Sequence, residues 1–266
     1  MPSARPVALV TGASAGLGAA YARRLAQQGF DLILVARRLA RLEAFAAELQ
    51  ARYGVEAYPL LADLTRDADL EAVQRRIAQE ERLEFVLNNA GFGRSGRFYE
   101  TPLEDLDAMH RLHVMATLHL SHAALRAMTA RGKGAVVNVS SVAAYVCRPG
   151  SISYYCTKAW INAFTEGLYL ELRQARSPVR VQALCPGYTL TEFHDVMGFD
   201  RKRISEGWWT PADRVVDASL AGLRRNQLFV VPGWRYKFIV ALLRLQPRSL
   251  LHATGNLGDA WIRKAK

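Results

Sequence analysis

Three side chains in the middle of the chain have the types and the spacing to move a proton. Ser141 is followed thirteen residues on by Tyr154, and Lys158 lies four residues after Tyr154. On a helix, residues four apart share a face, so a Lys158 ammonium would lie beside the Tyr154 phenol and favour its ionised form. A phenol that titrates at about 10 is a poor proton partner at neutral pH, and a neighbouring cation moves it in the useful direction. Taken alone, Tyr-x-x-x-Lys is also what two surface neighbours on any helix look like. A second stretch, Thr11 to Gly18, reads TGASAGLG directly after the apolar run Val7 to Val10. Gly12 would allow a tight turn, Gly16 a close approach of backbone to phosphates, and Gly18 close packing of helix on strand. The unpaired N–H groups of the following helix would face a pyrophosphate. A loop rich in glycine only for turning would look the same.

These groups need a scaffold that brings them to one edge. Strand-like and helix-like patterns alternate to about Val231, which predicts an α/β, doubly wound parallel sheet of the Rossmann type with about seven strands and helices on both faces. The strands are expected at Val7–Thr11, Leu32–Ala36, Glu56–Leu60, Phe85–Leu87, Ala135–Val139, Val179–Leu184 and Leu228–Val231. Several are continuous apolar runs, as for strands buried on both faces. Helices are expected at Leu17–Gln28, Leu39–Tyr53, Ala68–Ala78, Leu103–Thr129, Ser153–Ala175 and Pro211–Leu223, with Gly29 and Gly54 as C-terminal stops. In such a sheet the binding crevice lies at the carboxyl ends of the strands. After the second strand stands Arg37, where an NAD site would place an acid; its guanidinium suits a 2′-phosphate, while Arg38 reads equally as a solvated helix-start residue. Asp63 after the third strand suits an adenine amino group or a helix cap. Asn89, Ala90 and Gly91 make a tight polar turn after the fourth.

The 266 residues suit one domain, with 50% hydrophobic and 22% charged residues as in a soluble globular protein. The first strand begins by Val7, leaving no room for a cleavable leader, and Cys147, Cys156 and Cys185 form no metal-ligand spacing, so a cytoplasmic protein without a metal is expected. The net charge of +11 is uneven: from Arg224 to Lys266 there are nine Lys or Arg against the single acid Asp259. That basic stretch is either a solvated surface or one for an anionic membrane or substrate; no nucleic-acid partner is expected.

TGASAGLG, NNAG, a serine after the fifth strand, YYCTK and CPGYTLT stand in the order and spacing of the short-chain dehydrogenase/reductase family, which the chain resembles over roughly Val7 to Val231. The resemblance implies Tyr154 as acid/base, Lys158 as the group that lowers its pKa and holds the nicotinamide ribose, and Ser141 as the residue orienting a substrate carbonyl. It implies cofactor contacts from Gly12, Ser14, Gly16, Leu17, Gly18, Arg37, Asp63, Asn89, Ala90, Gly91, Pro186, Gly187, Thr189 and Thr191, besides Tyr154 and Lys158. Thr191 would reach the carboxamide, and position 189 is Thr where the family more often has a β-branched aliphatic residue. The family's catalytic Asn is replaced by His113, which either holds the relay water in its place or is a packed core residue. A homodimer or homotetramer through the two long helices is also implied.

The segment 188–211 carries Tyr188, Phe193, His194, Met197, Phe199, Trp208 and Trp209 and reads as a substrate lid, with Arg201, Lys202 and Arg203 free to meet an anionic tail or solvent. In the C-terminal extension, 232–266, Trp234 to Leu245 is apolar nearly all round a helix and, at about 18 Å, too short to cross a bilayer. It would cover the crevice or a second subunit, or lie in a membrane interface. The expected activity is hydride transfer between NADP(H) and an apolar ketone, aldehyde or secondary alcohol. The rivals are an NAD-linked alcohol dehydrogenase and a catalytically silent cofactor-binding regulator.

Overall fold

A computed structural model describes residues 5–146, 149–192 and 204–246. In chain order the elements are β1 (Val7–Thr11), α1 (Gly16–Gln27), β2 (Asp31–Ala36), α2 (Leu39–Tyr53), β3 (Ala57–Leu61), α3 (Asp67–Gln79), β4 (Leu83–Asn88), α4 (Leu103–His110), α5 (Ala116–Arg131), β5 (Ala135–Val139), α6 (Ile152–Gln174), β6 (Arg180–Leu184), β7 (Thr189–Leu190), β8 (Thr210–Pro211), α7 (Ala212–Arg224), β9 (Phe229–Val230) and α8 (Trp234–Leu245). Seven strands form one parallel sheet in the order β3-β2-β1-β4-β5-β6-β9, and β7 pairs with β8 in a separate parallel ribbon. The winding reverses between β1 and β4, so the crevice of an open α/β sheet opens beside their carboxyl ends.

The strands read as unbroken apolar runs because both faces of the sheet are covered. Along β1, Ala8 and Val10 pack into the core under α1, α2 and α7, while Val7 and Leu9 pack into the opposite core under α3, α5 and α6. The edge strand β3 departs from that expectation: Tyr58 and Leu61 are exposed, and Pro59 is tolerated because an edge strand has one side unpaired. Gly54 ends α2 in the left-handed region at φ 64°, where a side chain would be strained.

The helix expected over Leu103–Thr129 is broken. Between α4 and α5 lies a π-helical turn, Arg111–Met115, which carries the buried His113. Sequence periodicity cannot show such a turn, because what holds it is hydrogen bonding from the β4 and α6 regions to the His113 ring.

Gly18 is where α1 comes closest to the strand-to-helix turn: a Cβ there would stand 2.2 Å from the Gly12 carbonyl oxygen and 2.8 Å from Asn89 Nδ2. The first is backbone, and the second is a side-chain amide pinned to Thr11 O. Gly18→Ala should therefore destabilise the fold by about 1–3 kcal/mol in urea unfolding. Gly167→Ala, in α6 with nothing within 4 Å of its Cβ, should be neutral or slightly stabilising, and equal effects of the two would refute the packing account.

Candidate active site

The glycine-rich turn forms an anion cradle. Gly12 and Gly16 both have positive φ, 65° and 56°, so Gly16 is required for its backbone conformation as well as for close approach. Residue Ala15 at the start of α1 is extended and gives no side-chain cap, which leaves the helix N–H groups for a ligand. Thr11 fastens this turn to the one after β4. Its hydroxyl donates to Leu87 O (3.0 Å) and accepts from the N–H groups of Asn89 (2.9 Å) and Ala90 (3.0 Å), while Asn89 Nδ2 donates to Thr11 O at 2.9 Å. The Asn89 side chain is thus a strut. A Cβ on Gly16 would come within 3.1 Å of Thr191 Cβ, so the segment after β6 closes over the cradle from the other side. Leu17 packs onto the core below.

The basic groups after β2 divide differently from the sequence reading. Arg38, read as a candidate for solvent, donates to Ser14 Oγ at 3.1 Å and, with Arg41, meets the carboxylate of Glu192 at 3.2–3.5 Å. Those arginines hold Glu192 below the usual carboxylate range. Arg37 is exposed and has no hydrogen bond or ion pair among the described residues. Asp63 is half committed: its Oδ1 accepts from Thr65 N–H and Thr65 hydroxyl, a local turn bond, while its own N–H goes to Asp69 in α3.

Ser141, Tyr154 and Lys158 do come together. Ser141 starts a short 3-10 turn, Val142–Tyr145, accepts from Ala143 N–H at 3.1 Å, and hydrogen-bonds the Tyr154 phenol. Lys158 is buried, donates to Val139 O at 2.9 Å, and its Nζ stands 5.6 Å from the centre of the Tyr154 ring. The expectation that Lys158 lowers the phenol is overridden by burial. Desolvation pushes Tyr154 up to about 12 against the pull of Ser141, and the same desolvation pushes Lys158 down to about 7.

Both nitrogens of His113 are taken by protein. Nε2 accepts from Phe92 N–H at 3.2 Å, so Nδ1 carries the proton and donates to Thr157 Oγ1 at 2.9 Å, and that hydroxyl donates to Tyr154 O at 2.9 Å. Burial first, then Lys158 and His110, hold its pKa well below the ordinary 6.5. A neutral ring so engaged has no nitrogen left for a relay water; it braces the helical turn that carries Tyr154. Gly91 makes room for it, since a Cβ there would meet Nε2 at 2.7 Å.

Sequence reasoning missed Tyr236. Its ring lies against Gly187, where a Cβ would be 2.1 Å away, and its hydroxyl accepts from Tyr188 N–H at 3.0 Å and donates to Trp208 O at 2.7 Å. It joins Tyr188 and Trp208, near the two described ends of segment 188–211, with Trp208 O beside β8 and Pro186 O receiving Val142 N–H at 3.0 Å. Its only sequence signal was an aromatic in an otherwise apolar helix beyond the family pattern. Thr157 was visible inside YYCTK, but its bond to His113 was not. Thr189 is buried, with its hydroxyl on Gly187 O. Phe193, His194, Met197, Phe199, Arg201, Lys202 and Arg203 lie outside the described residues, as does Cys147. Among the described residues no cluster suits a metal ion, and no helix is long and apolar enough to cross a membrane.

Residues 6–200 match the family model described as short chain dehydrogenase. A short-chain dehydrogenase from Sphingobium yanoikuyae solved in complex with NADPH is 36% identical, with a TM-score of 0.81 over 98% of each chain. The bulky-bulky ketone specific alcohol dehydrogenase from Comamonas testosteroni is 30% identical, with a TM-score of 0.78 over 93% of this chain and 94% of that one. Gluconate 5-dehydrogenase of Gluconobacter oxydans is 31% identical over 84% of this chain and 89% of its own length.

Two outcomes follow from the buried groups. His113→Leu strands the Phe92 N–H, at roughly 1–3 kcal/mol, and removes one of the two bonds at the Thr157 hydroxyl, so it should lower both stability and turnover with little change in nucleotide affinity. Because the folded pKa is depressed, the unfolded chain binds the extra proton, and the His113 contribution is lost as pH falls below 6.5. His113→Asn should shrink that acid loss in thermal melts, and an unchanged melt-versus-pH curve would refute the assignment. Lys158→Met removes a buried ammonium whose pKa falls from 10.5 unfolded to about 7 folded. The wild type gains stability as pH rises through that window; the Met variant should be more stable at pH 7, by roughly 0.5–2 kcal/mol, and lose that slope.

Proposed function

This chain belongs to the short-chain dehydrogenase family, and from that premise we propose that it is an NADPH-dependent reductase of bulky apolar ketones and aldehydes. The observation that carries the reading is the half-buried Ser141 and Tyr154 hydroxyl pair backed by the buried Lys158, set at the carboxyl end of β5 across from the uncapped start of α1. The residues fit a dinucleotide: Gly12 and Gly16 form a cradle that a Cβ would fill, and the α1 N–H groups suit its pyrophosphate. Gly12, Ser14, Gly16, Leu17 and Gly18 would hold the phosphates, Asp63 Oδ2 the adenine, the backbone of Asn89, Ala90 and Gly91 a ribose, and Pro186, Gly187, Thr189 and Thr191 the nicotinamide end. When bound, the nicotinamide supplies the hydride.

The chain's own part is the proton. A phenol held near 12 stays protonated at neutral pH, which suits Tyr154 as the donor to a substrate carbonyl oxygen. Ser141, bonded to that phenol, would orient the same oxygen. Lys158 charges readily near pH 7, so its ammonium would steady the negative charge growing on Tyr154 as the proton leaves.

Preference for NADP over NAD rests on Arg37, exposed and uncommitted among the described residues, with no acid at the end of β2. Arg38 on Ser14 would support the same phosphate. Glu192 already partners Arg38 and Arg41, and this partial neutralisation is what keeps the NAD-linked alternative in view. The intact Ser141, Tyr154 and Lys158 weigh against a silent regulator. Segment 188–211 is read as the lid: Tyr188 and Trp209 at its described ends face each other at 5.5 Å, and the resemblance to a bulky ketone enzyme fits that aromatic wall. Leu118 on α5 and Leu170 on α6 are exposed and suit a homodimer through those helices. Free Cys156 and Cys185 fit a reducing cytoplasm.

A panel of aryl and alkyl ketones followed by NADPH absorbance tests turnover, cofactor and substrate class together. Tyr154→Phe should leave below about a tenth of the rate with NADPH binding within a few-fold. Ala36→Asp with Arg37→Ala should move preference toward NADH. Equal wild-type use of both nucleotides would remove the Arg37 argument, and substantial activity in the Phe variant would remove Tyr154 as donor.

A further inference from the structure

Helix α8 is apolar on two opposite faces. Its inner face, with Tyr236 and Val240, is buried against Ala183, Cys185 and Val231. At 100° per residue, Trp234, Phe238, Leu242 and Leu245 fall within one quadrant on the far side. They are exposed by 74, 68, 47 and 82%. Cations edge that stripe on both flanks: Arg235 on one, Lys237 and Arg244 on the other. From residue 224 to 246 there are five Lys or Arg and no acid. Beside the stripe, between α7, β9 and α8, runs a groove of about 480 Å³ whose charged lining residues are Arg225, Lys237 and Arg244. Among the described residues none of these three meets an acid.

We propose that α8 is a membrane-interface helix, seating its Trp-Phe-Leu-Leu stripe among the acyl chains of an anionic bilayer and its flanking cations on lipid phosphates. Charge decides between a bilayer and a second copy of the chain. A two-fold contact through this face would bring two sets of Arg235, Lys237 and Arg244 together with no acid between residues 224 and 246 to pair them, whereas anionic headgroups pair all of them. Aromatic and aliphatic side chains between rows of cations match the depth profile of an interface, with apolar groups lowermost and ammonium and guanidinium groups at headgroup level. The helix is held ready for this. Tyr236 bonds it to Tyr188 and Trp208, and Arg235 donates to Gly207 O at 2.6 Å, so docking orders no new segment.

The full chain should co-sediment with vesicles of phosphatidylcholine and phosphatidylglycerol, bind vesicles of phosphatidylcholine alone at least about tenfold more weakly, and be released by salt. Phe238→Glu with Leu245→Glu should abolish vesicle binding, leaving melting temperature, mass by light scattering and reductase activity unchanged. Lys237→Glu with Arg244→Glu should remove the preference for phosphatidylglycerol. Equal binding to both vesicle types, or binding to neither, overturns the proposal. So does a fall in oligomeric mass in the Phe238 and Leu245 variant, which would assign the face to a second copy.

Discussion

A buried chain of amide and hydroxyl groups holds α6, the helix of Tyr154 and Lys158, to the sheet. Asn88 Nδ2, at the end of β4, donates to Asn138 Oδ1 on β5 at 2.8 Å and to Ser121 Oγ on α5 at 3.0 Å; Asn138 Nδ2 donates to Thr165 Oγ1 on α6 at 3.0 Å. A few residues along, Ser140 Oγ donates to Lys158 O and Lys158 Nζ to Val139 O, both at 2.9 Å. Hydrophobic contact alone would allow α6 to slide on the sheet at little cost. Hydrogen bonds buried away from water do not, since each broken one leaves a donor or acceptor unsatisfied at roughly 1–3 kcal/mol. The register of Tyr154 against Ser141 is therefore set by these polar groups.

The same burial that makes those bonds directional opposes charge on Tyr154 and Lys158. Tyr154 is pushed toward its neutral form and so is Lys158, although one is an acid and the other a base, because desolvation opposes charge of either sign. His113 shares the pocket and is kept neutral by it. At neutral pH Tyr154 and His113 are thus neutral, while Lys158, at about 7, divides between ammonium and amine. The cost falls on stability of the chain, most visibly at Lys158.

On the other side of the crevice the arrangement is electrostatic and exposed. Glu192 draws Arg38 and Arg41 toward the segment after β7, and Arg38 in turn holds Ser14 in the glycine-rich turn. These ion pairs are about half exposed, so each contributes little. Together they join the turn, the start of α2 and the base of segment 188–211, three pieces far apart in sequence that border one site.

The sequence by itself determined the winding of the sheet and most element limits. Apolar runs of strand length alternating with amphipathic stretches leave few other arrangements, and β1, β5, α2 and α8 lie where the pattern puts them. It also placed the chemistry: glycines whose backbone must be left-handed, and a Tyr and Lys four apart, are local facts that local geometry turns into site geometry. Only the tertiary structure decided what those groups experience. The π turn at His113, the loss of its ring nitrogens to Phe92 and Thr157, the commitment of Arg38 to Ser14 and Glu192, and the Tyr236 strut are contacts between residues 21 to 154 positions apart. No period in the sequence encodes such a pairing. The pKa directions of Tyr154 and Lys158 likewise depend on how completely water is excluded, which is a property of packing in three dimensions and has no counterpart in the spacing of the two residues.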